Sequence, residues 1–180
     1  ILEKISGTPL KIVSVKKTPK HTEPPLLYDL TELQREANRR FDYPAKKTLD
    51  IMQRLYENHK VLTYPRTDSR YLTADIVPTI RERLKACAVG PYRKLSGTLF
   101  NKEIKARFVN DAKVSDHHAI IPTEQFVDLT HMTIDERRIY DLVVRRFLAV
   151  LYPAYEYEQT SIIAESGGER FTAHGNIVKS

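Results

Sequence analysis

The stretch Leu62-Thr63-Tyr64-Pro65-Arg66-Thr67-Asp68-Ser69-Arg70-Tyr71-Leu72 holds the side chains best suited to chemistry. In an extended chain, side chains two apart share a face, so Tyr64 and Arg66 project together with roughly 6–7 Å between their Cα atoms. An arginine so placed can hold a phosphate by two parallel charge-assisted hydrogen bonds while the tyrosine oxygen attacks phosphorus. Pro65 fixes the backbone between them. A phenol, with a pKa of about 10, is a poor nucleophile until its proton is drawn off or a cation stabilises the phenolate, and Arg66 supplies such a cation. Attack on a phosphodiester would give a phosphotyrosine ester and free a hydroxyl. That ester resembles the starting bond in energy, so rejoining would need no external energy source. Taken alone, a Tyr-x-Arg triplet is more often structural than catalytic, and Thr67, Asp68 and Ser69 read equally well as residues that cap or orient a loop.

The surrounding elements must hold this stretch in place. Ile12, Val13 and Val15 predict a strand over residues 10–18, closed by Pro19 and Pro24-Pro25. Thr31 and Gln34 suit a capping box opening a helix that ends near Phe41. After the turn Asp42-Tyr43-Pro44, Leu49, Met52 and Leu55 or Tyr56 fall on one face of a second helix. This pair suggests a helix-turn-helix. Val61 to Tyr64 reads as extended, and Thr73 caps a helix through Ala86 that Pro78 kinks. Gly90-Pro91 and Gly97 mark loops around a helix at 101–109. Thr133-x-x-Glu136 is another capping box, opening a helix from Ile134 to Leu151 with Ile139, Leu142, Val143 and Phe147 on its apolar face and Pro153 as its stop. Glu156–Ala164 and Arg170–Val178 read as strands joined at Ser166-Gly167-Gly168. The fold class is therefore α+β, a mainly helical block with a helix-turn-helix-like core bracketed by antiparallel strands. Both ends stop beside strands, as expected of a piece of a larger protein.

With 180 residues and 41% hydrophobic side chains the chain can bury a core, and its net charge of +6 favours a polyanionic partner. Residues 11–20 carry four lysines and no acid, and residues 93–113 carry six basic side chains against Glu103 and Asp111, although either cluster alone is more often a solvated face. No apolar run suits a membrane span and the N-terminus has no signal pattern, which places the protein in the cytoplasm or on a bacterial nucleoid. Cys87 is the single cysteine, which excludes an internal disulfide and a cysteine-based zinc site.

The tyrosine segment Tyr64-Pro65-Arg66-Thr67-Asp68-Ser69, following Gln53-Arg54-Leu55-Tyr56-Glu57, resembles the active-site segment of the type IA DNA topoisomerases, with Pro65 leaning towards the topoisomerase III branch. Ser115-Asp116-His117-His118-Ala119-Ile120-Ile121-Pro122-Thr123 is similar to that family's histidine segment. Leu27-Tyr28-Asp29-Leu30-Thr31-x-Leu33-Gln34 and the Ile139–Leu151 helix match as well, so the resemblance covers nearly the whole chain. It implies that Tyr64 forms a 5′-phosphotyrosyl link, that Arg66 positions the scissile phosphate, and that His117 hydrogen-bonds near that phosphate or relays a proton. Gln53, Arg54, Thr67, Asp68, Ser69, Arg70 and His118 are further candidate DNA contacts, His118 otherwise being a solvent-facing neighbour.

The family's cleavage centre is completed by a separate Toprim domain carrying a glutamate and an Asp-x-Asp metal cluster, and this chain has no Asp-x-Asp. The resemblance therefore implies Mg²⁺ held by that other domain of the same polypeptide, no metal or other cofactor in this chain, a single-stranded DNA substrate and a monomer. Alone, the chain is expected to be inactive or nearly so. Residues 30–152 correspond to the helical tyrosine-bearing domain, and residues 1–29 and 153–180 to strands of the arch-shaped hinge domain. The competing reading is a non-catalytic helix-turn-helix DNA-binding module using residues 31–58. A tyrosine recombinase fits less well, because such enzymes place several arginines and histidines before a late tyrosine.

Overall fold

The computed structural model describes residues 1–100 and 106–179. Its elements, in chain order, are α1 (Leu2–Ile5), β1 (Lys11–Thr22), α2 (Leu30–Phe41), α3 (Ala45–Glu57), α4 (Ile80–Ala86), α5 (Arg93–Leu99), α6 (Ile134–Leu151), β2 (Tyr155–Ser166) and β3 (Glu169–Val178). This is an α+β architecture. Among the described residues no helix is long and apolar enough to cross a membrane. The chain divides into two units, residues 1–24 with 153–180, and residues 25–152.

In the first unit the strands form one antiparallel sheet in the order β1-β2-β3. Lys11 lies opposite Glu165 and Thr22 opposite Tyr155, with a register shift between Ile12 and Ser14. Pro19 does not close β1. It pairs with Glu158 inside the strand, because β1 is an edge strand, where a missing amide hydrogen is tolerated. Gly167 and Gly168, with φ of 55° and 77°, make the two-residue turn between β2 and β3 that suits the twist of a hairpin. At Gly167 a Cβ would lie 2.1 Å from the Lys4 carbonyl oxygen, so a side chain is excluded there. The short α1, not foreseen from the sequence, is fastened to this hairpin by Lys4 on Glu169 at 3.0 Å.

In the second unit, α2 starts two residues before the expected capping box. The Asp29 carboxylate accepts from the Glu32 amide at 2.7 Å, so Asp29 is the cap, and Gln34 donates instead to the Ala45 carbonyl. Asp42, at φ 55°, ends the helix in the left-handed region. Pro44 then sits at the cap position of α3. The buried stripe of α3 is Thr48, Ile51, Met52 and Leu55, which leaves Leu49 and Tyr56 at its margin, Leu49 half-buried and Tyr56 exposed.

The helix predicted after Thr73 is divided, with a 3-10 segment at Ala74–Thr79 holding Pro78 and α4 following it. Thr73 makes no side-chain cap; the Asp111 carboxylate takes the Ala74 amide instead. Gly97 lies on the exposed side of α5 rather than in a loop, since Ser96 and Leu99 supply the buried face. Of the helix predicted at 101–109, residues 101–105 lie outside the described residues and Ala106–Phe108 form a single 3-10 turn.

Helix α6 forms as its sequence dictates. Thr133 and Glu136 complete a reciprocal capping box, and Ile139, Leu142, Val143 and Phe147 are buried. The Glu136 side chain, 5% exposed, also accepts from Arg54 Nε at 3.0 Å, and His59 Nε2 lies 3.5 Å away, which ties the C-terminal end of α3 to the first turn of α6. Burial alone would raise the Glu136 carboxyl pKa, but hydrogen bonds from Thr133 and Arg54 outweigh it and hold the group below its ordinary 4.5.

Glu136→Ala is expected to lose about 2–3 kcal/mol in urea melts at neutral pH, as a lost cap plus a lost charge-assisted bond to a half-exposed arginine. Glu136→Gln isolates the charge. Because the folded carboxyl is depressed, its contribution is full above the unfolded value of 4.5 and disappears as pH falls through the lower folded value. The gap between wild type and Glu136→Gln should therefore close below that range, and a gap that persists in strong acid would contradict the assignment.

Candidate active site

Three backbone segments meet to form the platform for Tyr64. Thr63 N–H donates to the Ile121 carbonyl and Thr123 N–H to the Val61 carbonyl, at 3.0 and 3.1 Å. Ile120 N–H donates to the Tyr28 carbonyl at 2.8 Å, and Leu30 N–H to the Thr67 carbonyl at 3.0 Å. Ala119 N–H reaches the Tyr71 carbonyl at 2.9 Å. Residues 27–30, 61–72 and 119–123 are thus cross-linked pairwise, and Leu27, Leu62, Leu72, Ala119 and Ile121 are fully buried beneath them.

Burial then alternates along the loop. Pro65, Thr67 and Ser69 point inward, whereas Arg66 and Asp68 are exposed and Tyr64 is half-buried. This is the period of two of an extended chain, and it turns Tyr64, Arg66 and Asp68 to the same side. The Tyr64 ring packs against the exposed His117 ring at 4.3 Å between centroids and 41° between planes. It also meets the Tyr56 ring edge-on, at 5.5 Å and 81°. Among the described residues no hydrogen bond reaches the Tyr64 hydroxyl, and the Arg66 guanidinium has no acidic partner. An open cleft of about 410 Å³ is lined by Arg66, His117, Asp68, Ser115, Asp116 and the first turn of α2 at Leu30 and Thr31. His117 is the link, touching the tyrosine ring on one hand and lining the cleft with Arg66 on the other.

The other predicted contacts divide. Thr67 and Ser69 carry buried hydroxyls that serve the backbone: Thr67 Oγ1 donates to the His117 carbonyl at 2.7 Å and accepts from Ser69 N–H at 3.1 Å, and Ser69 Oγ donates to the Lys113 carbonyl at 2.8 Å. Asp68 stays in the cleft, accepting from Ser115 Oγ at 3.3 Å. Arg70 Nε donates to the Leu27 carbonyl at 3.1 Å. Gln53 donates to Glu57, and Arg54 is paired with Glu136. His118 is half-buried rather than solvent-facing. Its Nδ1 lies 2.7 Å from the Ala119 carbonyl, which assigns the proton to that nitrogen. Burial lowers its pKa from 6.5, with Arg83 adding to the effect, so the ring is neutral at neutral pH.

Sequence reasoning missed Tyr56, which it had placed on the apolar face of α3. With Thr48, Ile51, Met52 and Leu55 as the buried stripe, position 56 falls on the helix margin, and that offset is the signal that could have found it. It also missed the α2 first turn and Asp116 in the cleft wall. Among the described residues no group of three or more His, Cys, Asp or Glu side chains can hold a metal ion.

The family model for DNA topoisomerase matches residues 1–180. DNA topoisomerase 3 of Bacillus thuringiensis (strain Al Hakam) is 59% identical over 169 residues, which is 93% of this chain and 23% of that protein. DNA topoisomerase 3 of Bacillus subtilis (strain 168) is 53% identical over 182 residues, covering 100% of this chain and 25% of that protein. The chain thus spans about a quarter of the length of the curated relatives it matches. Full-length topoisomerase I from Thermotoga maritima shares the fold, with a TM-score of 0.70 at 24% identity over 98% of this chain and 29% of that one.

Thr67→Val is expected to cost about 1–2 kcal/mol by leaving the His117 carbonyl and the Ser69 amide without their partner. The His117 ring proton resonances should shift while those of His59 do not, and Thr67→Ser should restore them. An unchanged His117 spectrum in Thr67→Val would contradict the tie.

Proposed function

The chain belongs to the DNA topoisomerase family, in its type IA, topoisomerase 3-like branch, and we propose that it is the part of such an enzyme that carries the nucleophile. In this reading Tyr64 attacks a phosphodiester of single-stranded DNA. A bond forms between its oxygen and phosphorus while the bond from phosphorus to the 3′ oxygen breaks. The phenol gives up its proton, the departing 3′ oxygen gains one, and the DNA is left joined to Tyr64 through its 5′ phosphate. Religation is the same exchange in reverse, one phosphodiester for another. The observation that carries this reading is the alternating burial from Tyr64 to Ser69, which turns the phenol and the Arg66 guanidinium outward together beside His117.

Within this proposal Arg66 holds a non-bridging phosphate oxygen and offsets the charge that develops on the phenol oxygen. His117 hydrogen-bonds at the same phosphate or relays a proton, since its ring nitrogens can donate or accept. Asp68 orients the cleft through Ser115, and Thr67 and Ser69 hold the loop. Arg54, Gln53 and Arg70, engaged with Glu136, Glu57 and Leu27, keep only their remaining donors for DNA. Mg²⁺ would be held by another domain of the same polypeptide. Residues 30–152 act as the tyrosine-bearing body and the flanking strands at 1–29 and 153–180 as its hinge, with the whole enzyme a monomer on the cytoplasmic nucleoid. A swinging rigid body suits strand passage because the cut end stays fixed to one side chain.

The competing helix-turn-helix reading finds less support. On α3, the helix that would enter a groove, Lys46 is paired with Asp50, Lys47 with Asp135 and Arg54 with Glu136. Cations already neutralised by neighbouring carboxylates release few counterions from DNA.

In the full-length enzyme with Mg²⁺, Tyr64→Phe is expected to abolish the denaturation-resistant adduct on single-stranded DNA while leaving noncovalent binding intact. Arg66→Ala is expected to slow cleavage by about 100-fold or more, the cost of one lost charge-stabilising donor. Relaxation of underwound DNA by the Phe variant would overturn the proposal.

A further inference from the structure

Tyr56 is an aromatic residue with no place in the core. It sits at the end of α3, next to the buried Leu55 and 37% exposed, at the margin of the buried stripe Thr48, Ile51, Met52 and Leu55. Its ring nevertheless meets that of Tyr64 at 5.5 Å and 81°, the edge-to-face geometry that aromatic quadrupoles favour. The Tyr64 hydroxyl has no hydrogen-bond partner among the described residues, so no polar contact aims the phenol. What restrains its ring is Pro65 in the backbone and two aromatic contacts, Tyr56 and His117.

We infer that Tyr56 is a positioning residue for the nucleophile, holding the Tyr64 ring in the rotamer that presents its oxygen to the phosphate. The inference rests on Tyr64 being the nucleophile and adds a second restraint to it. The base that delivers the restraint is firm. Leu55 and Met52 anchor α3 in the core, and the Arg54–Glu136 pair ties the same turn to α6. Val61 N–H returns to the Leu55 carbonyl at 3.0 Å, so the helix end and the tyrosine loop are registered to each other over five connecting residues. Such a restraint acts on the reaction in both directions. Losing it slows cleavage and religation together, because a freer phenol pays orientation entropy each time it reaches the reacting geometry.

The test uses the full-length enzyme with Mg²⁺ and a single-stranded oligonucleotide, measured at saturating DNA in single turnover. Tyr56→Ala is expected to slow cleavage and religation alike by about 3- to 10-fold, the worth of one edge-to-face pair. The fraction of DNA cleaved at equilibrium and the dissociation constant for DNA should not change. Tyr56→Phe, which keeps the ring and drops the hydroxyl, should restore both rates. Tyr56→Leu, which keeps apolar bulk and helix propensity, should be as slow as Ala and guards against a folding defect in the Ala variant. Rates equal to wild type in the Leu variant would overturn the inference, as would a Phe variant as slow as Ala. Weakened DNA binding with an unchanged rate on bound DNA would also overturn it, assigning Tyr56 to base stacking. Tyr64→Phe is run beside them. If it still forms the adduct, the nucleophile assignment itself fails; if it forms none while Tyr56→Ala is fully active, only the positioning role fails.

Discussion

One buried hydroxyl decides whether the proposed chemistry has a geometry. Thr67 Oγ1 donates to the His117 carbonyl and accepts from Ser69 N–H, while the Thr67 carbonyl takes the Leu30 amide. A single inward-facing residue thereby binds the tyrosine loop to the histidine segment and to the start of α2. In a dry site each of these bonds costs more to lose than it gains over water, so the arrangement is held in place rather than merely favoured. Residue 67 can face inward only if residues 66 and 68 face outward, and the exposure of Arg66 follows from the burial of Thr67.

The remainder of the second unit can be read as support for that constraint. Leu62, Leu72, Ile120 and Ile121 anchor the joined segments from below, and Arg83 pins the same region by donating to the Pro122 carbonyl at 2.8 Å while pairing with Glu124. On the far side, α3 and α6 are locked through Glu136. Burial and hydrogen bonding are concentrated under the loop, whereas its upper side carries a phenol hydroxyl without a hydrogen bond and a guanidinium without an acidic partner among the described residues. Groups left unsatisfied above a well-satisfied base are what a binding surface for a charged polymer requires.

Much of this was legible in the sequence because local rules and tertiary demands agreed. The Thr133–Glu136 box and the apolar spacing after it specify α6 without ambiguity, and Gly167-Gly168 specifies its hairpin. Where two local solutions competed, tertiary context chose. Asp29 and Thr31 can both cap α2, and Asp29 prevailed because Leu30 is held to the Thr67 carbonyl, which fixes the start of the first turn. Pro19 looked like a strand end but lies on an edge, a fact visible only once β2 has returned from far along the chain. For the candidate site, the tyrosine, arginine and histidine segments could be picked out by residue type and resemblance. That Thr67 would bond to His117 across fifty residues could not. Neither could the neutral, backbone-bound His118, and although the offset of Tyr56 from the apolar stripe of α3 was legible, its contact with the Tyr64 ring was not, since burial and ring packing are products of the assembled core.

The account turns on which oxygen becomes bonded to DNA. Trypsin cuts after Lys60 and Arg66, so residues 61–66 leave as one peptide with a single tyrosine. Trapping the full-length enzyme on single-stranded DNA, digesting with nuclease and trypsin, and sequencing the modified peptide by mass spectrometry locates that bond. The account predicts a nucleotide linked through its 5′ phosphate to Tyr64 in the 61–66 peptide. A nucleotide on the peptides bearing Tyr56 or Tyr71, or one attached through a 3′ phosphate, would contradict it.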